Sequence, residues 1–151
     1  MVNEFTLFKD NIKPAILSNK ESLAKYDINI NDYYSIKYKN SILVSHNKID
    51  IIDNDVVLLG KSLGYYPKAC ELFKKIDFHK NEIIEYINFN GIYFNTSYLY
   101  NECLEWCKKQ YLNKMLMKYH KVEYCRLYST YNKNSKSYMI NTDLDSMTII
   151  K

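Results

Sequence analysis

Glycine occurs three times and proline twice in 151 residues. So thin a glycine supply excludes the phosphate-cradling loops as written, since both the P-loop and the dinucleotide fingerprint need several glycines within a few positions. It also leaves no Gly-x-Ser-x-Gly nucleophile elbow and no glycine-rich linker between domains. Arginine occurs once, at Arg126. Bidentate reading of base edges and phosphates, the task for which guanidinium geometry is suited, therefore has almost nothing to work with. The histidines are His46, His79 and His120. No two have the spacing of a helical metal pair, and no His-Glu-x2-His motif is present. No apolar run approaches the roughly 18 residues of a membrane span. Met1 to Asn11 has neither the cationic start nor the apolar centre of a signal peptide, so no membrane partner and a cytoplasmic location are expected.

Lysine, isoleucine, asparagine and tyrosine are abundant, at 20, 17, 17 and 16 residues. All four have AT-rich codons, and the same coding bias accounts for the shortage of arginine. Lysine richness by itself is thus weak evidence for a nucleic-acid surface. The formal net charge of +4 is a mild basic balance that permits an anionic partner without requiring one. The length fits one domain over residues 1–151.

The pattern reads as α+β, with small antiparallel sheets packed against three to four helices. Pro14 suits the first turn of a helix reaching about Lys25. Tyr34, Ile36 and Tyr38 alternate with polar residues, and Ser41–Ser45 and Ile49–Ile52 follow as further strands. Val56 to Leu59 is an apolar run of either kind. Pro67 opens a helix through Ala69, Cys70 and Phe73 to Lys75. A second helix is expected from about Lys80 to Asn88, with Ile83, Ile84 and Ile87 on one face and Gly91 beyond its end. A third runs from a cap at Asn95, Thr96 or Ser97 to His120. Along it, Tyr100, Cys103, Leu104, Cys107 and Tyr111 share one face, while Leu112, Met115, Leu116 and Tyr119 form a stripe rotated by about a third of a turn. That offset predicts a kink near Gln110 to Asn113, or two packing partners. Val122, Tyr124 and Arg126 then alternate as a strand, Asn132 to Ser135 turns, Tyr138 to Ile140 returns as a hairpin, and Met147 to Ile150 forms a last short strand.

The cysteines are the first chemical candidates. Cys103 and Cys107 lie one helical turn apart, and Cys70 sits near the start of another helix. Together they could ligate zinc, the default ion for thiolates, completed by Cys125, His79 or His120. The competing reading is packing, because buried free cysteine behaves as a small hydrophobe and this pair lies within an apolar face. A reactive thiol would need a base such as His79 or His120 beside it. Asp50, Asp53 and Asp55, and Asp143 with Asp145, could hold a hard cation, but aspartates between strands more often serve turns. His46 reads as a solvated loop residue. The basic candidates are Lys108, Lys109, Lys114, Lys118 and Lys121. They can form a cationic face able to lie on phosphates or on an acidic protein, or simply the solvated side of a core helix.

The stretch Leu59-Gly60-Lys61-Ser62-Leu63-Gly64-Tyr65-Tyr66-Pro67-Lys68-Ala69-Cys70-Glu71-Leu72-Phe73, followed by Cys103-Leu104-Glu105-Trp106-Cys107, resembles the signature of a family of small uncharacterised prokaryotic proteins. That signature has a Leu-Gly-Tyr-Pro turn, a Cys-Cys pair, a downstream Phe and a later Cys-x3-Cys pair. The likeness spans about residues 60–111. An extra tyrosine separates Gly64 from Pro67, and Ala69 stands where the first paired cysteine would be. The resemblance implies a grouping of Cys70, Cys103 and Cys107 and carries no activity.

With no catalytic residues to name, the expected function is a non-enzymatic interaction protein. Small AT-biased chains are common in viruses and mobile elements, which makes an inhibitor of a host protein or nucleoprotein complex the first expectation. A lysine/tyrosine nucleic-acid-binding module comes second and a cysteine-dependent metal enzyme third.

Overall fold

A computed structural model describes residues 2–50, 55–76, 83–132 and 137–151. The chain is α+β and contains two antiparallel sheets, of three and four strands. It folds as two compact units, residues 1–67 and 68–151.

The first unit opens with α1 (Glu4–Lys9), whose start is fixed by a capping box: the Asn3 side chain accepts from the backbone of Thr6, and the Thr6 hydroxyl accepts from Asn3 N. The helix expected from Pro14 to Lys25 is not formed. Ala15–Ser18 is instead β1, and only Lys20–Lys25 is helical, as α2, with Asn19 capping Ser22 N. Ala-Ile-Leu-Ser finds a strand partner in β3 (Ser41–Ser45), and β2 (Tyr34–Tyr38) completes the order β1-β3-β2. A ladder of long-range pairs thus overrides helix propensity too weak to hold the segment.

Each face of this sheet has its own core. Ile16 and Val44 pack with Phe8, Leu23 and Ile28 on one side, while Ala15 and Leu43 pack with Tyr38, Leu59 and Leu63 on the other. The second core includes α3 (Val56–Ser62), which settles the ambiguous Val56–Leu59 run as helix. Asp55 does not turn between strands but caps this helix, accepting from Val57 N and Leu58 N at 3.1 Å. The strand expected at Ile49–Ile52 is not formed at Ile49, and residues 51–52 lie outside the described residues, as does Asp53.

The second unit begins with α4 (Pro67–Lys75), as the proline predicts. The helix expected over Lys80–Asn88 is instead strand β4 (Ile83–Phe89), with Lys80 to Glu82 outside the described residues. It turns back through Asn90 and Gly91 into β5 (Ile92–Asn95). Both turn residues have positive φ, 48° and 102°, the two-residue hairpin geometry that Asn-Gly favours. Gly91 therefore closes a hairpin rather than a helix. The sheet order is β5-β4-β6-β7, with β6 spanning Lys121–Asn132 and β7 Ser137–Ile150. The alternation from Val122 and the return at Tyr138 are both realised in it. Of the expected turn, Ser135 and its two preceding residues lie outside the described residues.

On one face of this sheet lies a long helical segment: α5 (Tyr100–Cys107), a π-helical stretch (Lys108–Leu112) and α6 (Asn113–Lys118). None of the three expected capping side chains caps it. Asn95 accepts from Ser97 N, the Thr96 hydroxyl donates to Glu85, and the Ser97 hydroxyl donates to Ala69 O. The expected irregularity is the π-helical stretch. Cys103, Cys107, Tyr111 and Met115 are all buried, a strict spacing of four. In a pure α-helix that spacing drifts about 40° per step. One wider turn absorbs the drift, so a single surface covers both stripes.

Candidate functional site

The π-helical stretch that keeps Cys107, Tyr111 and Met115 inward also sets what faces outward. Lys109, Gln110, Asn113, Lys114, Met117 and Lys118 are exposed along one side, and Lys121 follows at the start of β6. Between Glu105 and Glu123 the sequence has no acidic residue. The two flanking lysines take up those two carboxylates: Lys108 Nζ lies 3.8 Å from Glu105, and Lys121 Nζ lies 3.0 Å from Glu123. Lys108 is half-buried, its ammonium 5.5 Å from the centre of the Tyr124 ring. The middle of the stripe holds Lys109, Lys114 and Lys118, and Met117, between the last two, is 82% exposed. Tyr111 is buried and Tyr119 half-buried, so the stripe is cationic and thioether in character rather than aromatic.

Cys70, Cys103 and Cys107 are buried thiols outside any disulfide, and Cys125 is half-buried. The structure brings Cys103 and Cys107 together: burial first, and then their thiol–thiol hydrogen bond, push the Cys107 thiol strongly up from its ordinary value. A thiol held in that form is neither a ready nucleophile nor a ready thiolate ligand. Among the described residues no three His, Cys, Asp or Glu side chains are grouped so as to hold a metal ion; His79 lies outside them.

Sequence reasoning missed three polar arrangements. Lys13 is fully buried, donating to Ala15 O at 2.7 Å and Leu63 O at 3.2 Å, with its ammonium 5.4 Å from the Tyr65 ring centre. Burial pushes it down to about 8, against an opposing pull from Glu4. Glu85, also buried, receives Nε and Nη2 of Arg126 at 2.9 and 2.6 Å and the Thr96 hydroxyl at 2.7 Å. The Glu85 hydrogen bond raises the Arg126 guanidinium above its ordinary value, and Tyr100 and Tyr128 flank it at 4.2 and 5.7 Å. The only arginine is thus committed to holding β6 against β4. His46 is not a solvated loop residue. Its Nε2 lies 2.6 Å from Phe8 O, and its ring packs on Phe8 and Tyr33. No local signal could have found these, because each depends on at least one partner remote in sequence: Leu63 for Lys13, Arg126 for Glu85 and Phe8 for His46.

A half-open cleft beside Tyr34, Ile36, Leu43 and Ile49 has a volume of about 220 Å³, smaller than the roughly 300–1,000 Å³ of drug-sized ligand sites. No described helix is long and apolar enough to cross a membrane. No family model matches the chain, and no curated protein or solved structure matches it.

Proposed function

We propose that this chain is a non-enzymatic interaction protein that binds an acidic surface of another protein through the helical stripe of Lys109, Lys114 and Lys118, with the exposed Met117 between the last two. The observation that carries the reading is this run of exposed lysines in a stretch of sequence, between Glu105 and Glu123, that has no acidic residue. An exposed cationic band attracts and orients an anionic partner. Its exposed thioether favours an adaptable protein surface. A single-stranded nucleic acid would profit from exposed aromatic side chains on which its bases stack, whereas Tyr111 is buried and Tyr119 half-buried. The AT-biased composition makes a host protein, alone or within a nucleoprotein complex, the partner of choice.

The test is retention of the full chain on immobilised poly-glutamate and on duplex DNA, at roughly 50 and 200 mM salt. Wild-type protein is expected to prefer the acidic polypeptide, to weaken with salt, and to lose most retention in Lys109→Glu/Lys114→Glu at an unchanged melting temperature. Undiminished retention of that folded double variant would overturn the reading. A preference for DNA, with log affinity falling by about 0.9 per phosphate for each unit of log salt, would replace it with the nucleic-acid module.

A further inference from the structure

The cleft of the first unit is built on the β2 margin of its sheet. In the antiparallel pairing of β2 with β3, Tyr34 lies opposite Ser45 and Ile36 opposite Leu43. Residues two apart on a strand point to the same side, so these four share one face. Leu43 is buried in the core on that face with Leu59 of α3, and Ile36 and Ile49 pack against it. Among the described residues α3 adds nothing to the cleft wall; Lys48 and Ile49 line it instead, from the chain that leaves β3. That chain is tied down just before it reaches the cleft. His46 N donates to Pro14 O, and Asn47 N to Ser45 Oγ, both at 3.1 Å. The wall is therefore held in place before any ligand arrives.

The chemistry of the wall narrows the ligand. Ile36, Leu43 and Ile49 make it apolar, and Tyr34, which also lines it, is 54% exposed. Ser45 is buried and already engaged, donating to Pro14 O at 3.3 Å while it accepts from Asn47 N. One charged side chain lines the cleft, Lys48, and no carboxylate does. Lys48 is exposed, and among the described residues no ion pair holds it. An apolar wall with one cation matches a ligand with an apolar body and a single negative charge. Phosphate is better served by several convergent donors, which leaves a carboxylate. Volume sets the size. An engineered apolar cavity of roughly 150 Å³ holds benzene, so about 220 Å³ admits one six-membered ring with a short acid arm.

We infer that this cleft is a binding site for a small aryl carboxylate, with its ring against Ile36, Leu43 and Ile49 beside Tyr34, and its carboxylate on the Lys48 ammonium. The site lies wholly within the first unit and uses none of the lysines of the helical stripe, so it is independent of the acidic protein partner. Burial of the ring supplies most of the affinity. The exposed ion pair adds selectivity more than strength. A ligand of about ten non-hydrogen atoms then binds with a Kd of roughly 0.1–1 mM.

The experiment titrates the isotope-labelled full chain with phenylacetate and follows backbone amide NMR shifts. Phenylacetamide keeps the ring without the charge, phenethylammonium reverses the charge, and acetate lacks the ring. An acetylated tripeptide ending in Phe tests whether a chain terminus fits better than a free acid. Phenylacetate is expected to bind about fivefold more tightly than phenylacetamide, with shifts concentrated at Tyr34–Ile36 and Leu43–Ile49. Phenethylammonium and acetate should give no saturable shift. Lys48→Gln removes the cation and leaves the apolar wall intact. It should weaken phenylacetate to the level of the amide and leave the amide unchanged. Equal binding of acid and amide would overturn the inference, as would undiminished phenylacetate binding by Lys48→Gln at an unchanged melting temperature. So would shifts centred elsewhere in the chain, absence of any shift up to ~10 mM phenylacetate, or tighter binding of the tripeptide, which would give the cleft to a peptide terminus.

Discussion

Lys13 carries its ammonium into a site whose acceptors are two backbone carbonyls. Its value falls from 10.5 to about 8 on folding. Between those values the unfolded chain holds a proton that the folded chain has released, so stability rises with pH. Below about pH 8 both states are protonated and the cost of burying the charge is fully present. Measured against Lys13→Met, wild-type stability should therefore gain about 2–3 kcal/mol between pH 7 and pH 10, checked by urea unfolding at both pH values. A difference independent of pH would show that the ammonium is better solvated than its burial indicates. The thiols have their own expected order. Cys125, the half-buried one, should react first with a disulfide reagent at pH 8, and Cys103 and Cys107 only on unfolding, because Cys107 is held protonated. Fast titration of two or more thiols in the native protein would contradict this.

Elements in this chain are decided by their partners as much as by their own residues. Ile83, Ile84 and Ile87 have helical spacing, yet a short apolar run cannot be told from a strand by periodicity alone. Asn90-Gly91 was the better signal. Gly91 sits at φ 102°, so Gly91→Ala should cost about 1–2 kcal/mol, read from the urea midpoint. A neutral result would mean that the hairpin is held elsewhere. The capping residues misled for a related reason. Asn95, Thr96 and Ser97 are good caps, but Glu85 and Ala69 O engage two of them. The offset between the two apolar stripes of the long helix was legible, since it follows from counting. Its solution as a π-helical turn was not. Deleting Gln110 changes the buried spacing from four-four-four to four-three-four, which an α-helix accommodates, so that variant should fold with stability within about 1 kcal/mol of wild type. Failure to fold would mean that the wider turn is needed for packing beyond this face.

For the molecule as a whole, charge is the property that the stripe draws on. Lys109→Glu/Lys114→Glu takes the formal net charge from +4 to zero, so it should also lower solubility near neutral pH and abolish binding to a cation exchanger. Unchanged exchanger retention would place the effective positive surface elsewhere. The sequence by itself determined the α+β class, the thiols on an apolar helix face and the lysines opposite them. Those are consequences of composition and short periodicity, which act within a turn or a strand. Only the tertiary structure decided that β1 is a strand, that Lys13 meets Leu63 across 50 positions, and that Glu85 meets Arg126 across 41. Burying a charge is tolerable only where remote backbone or a remote counter-charge solvates it, and no local pattern specifies where that solvation comes from.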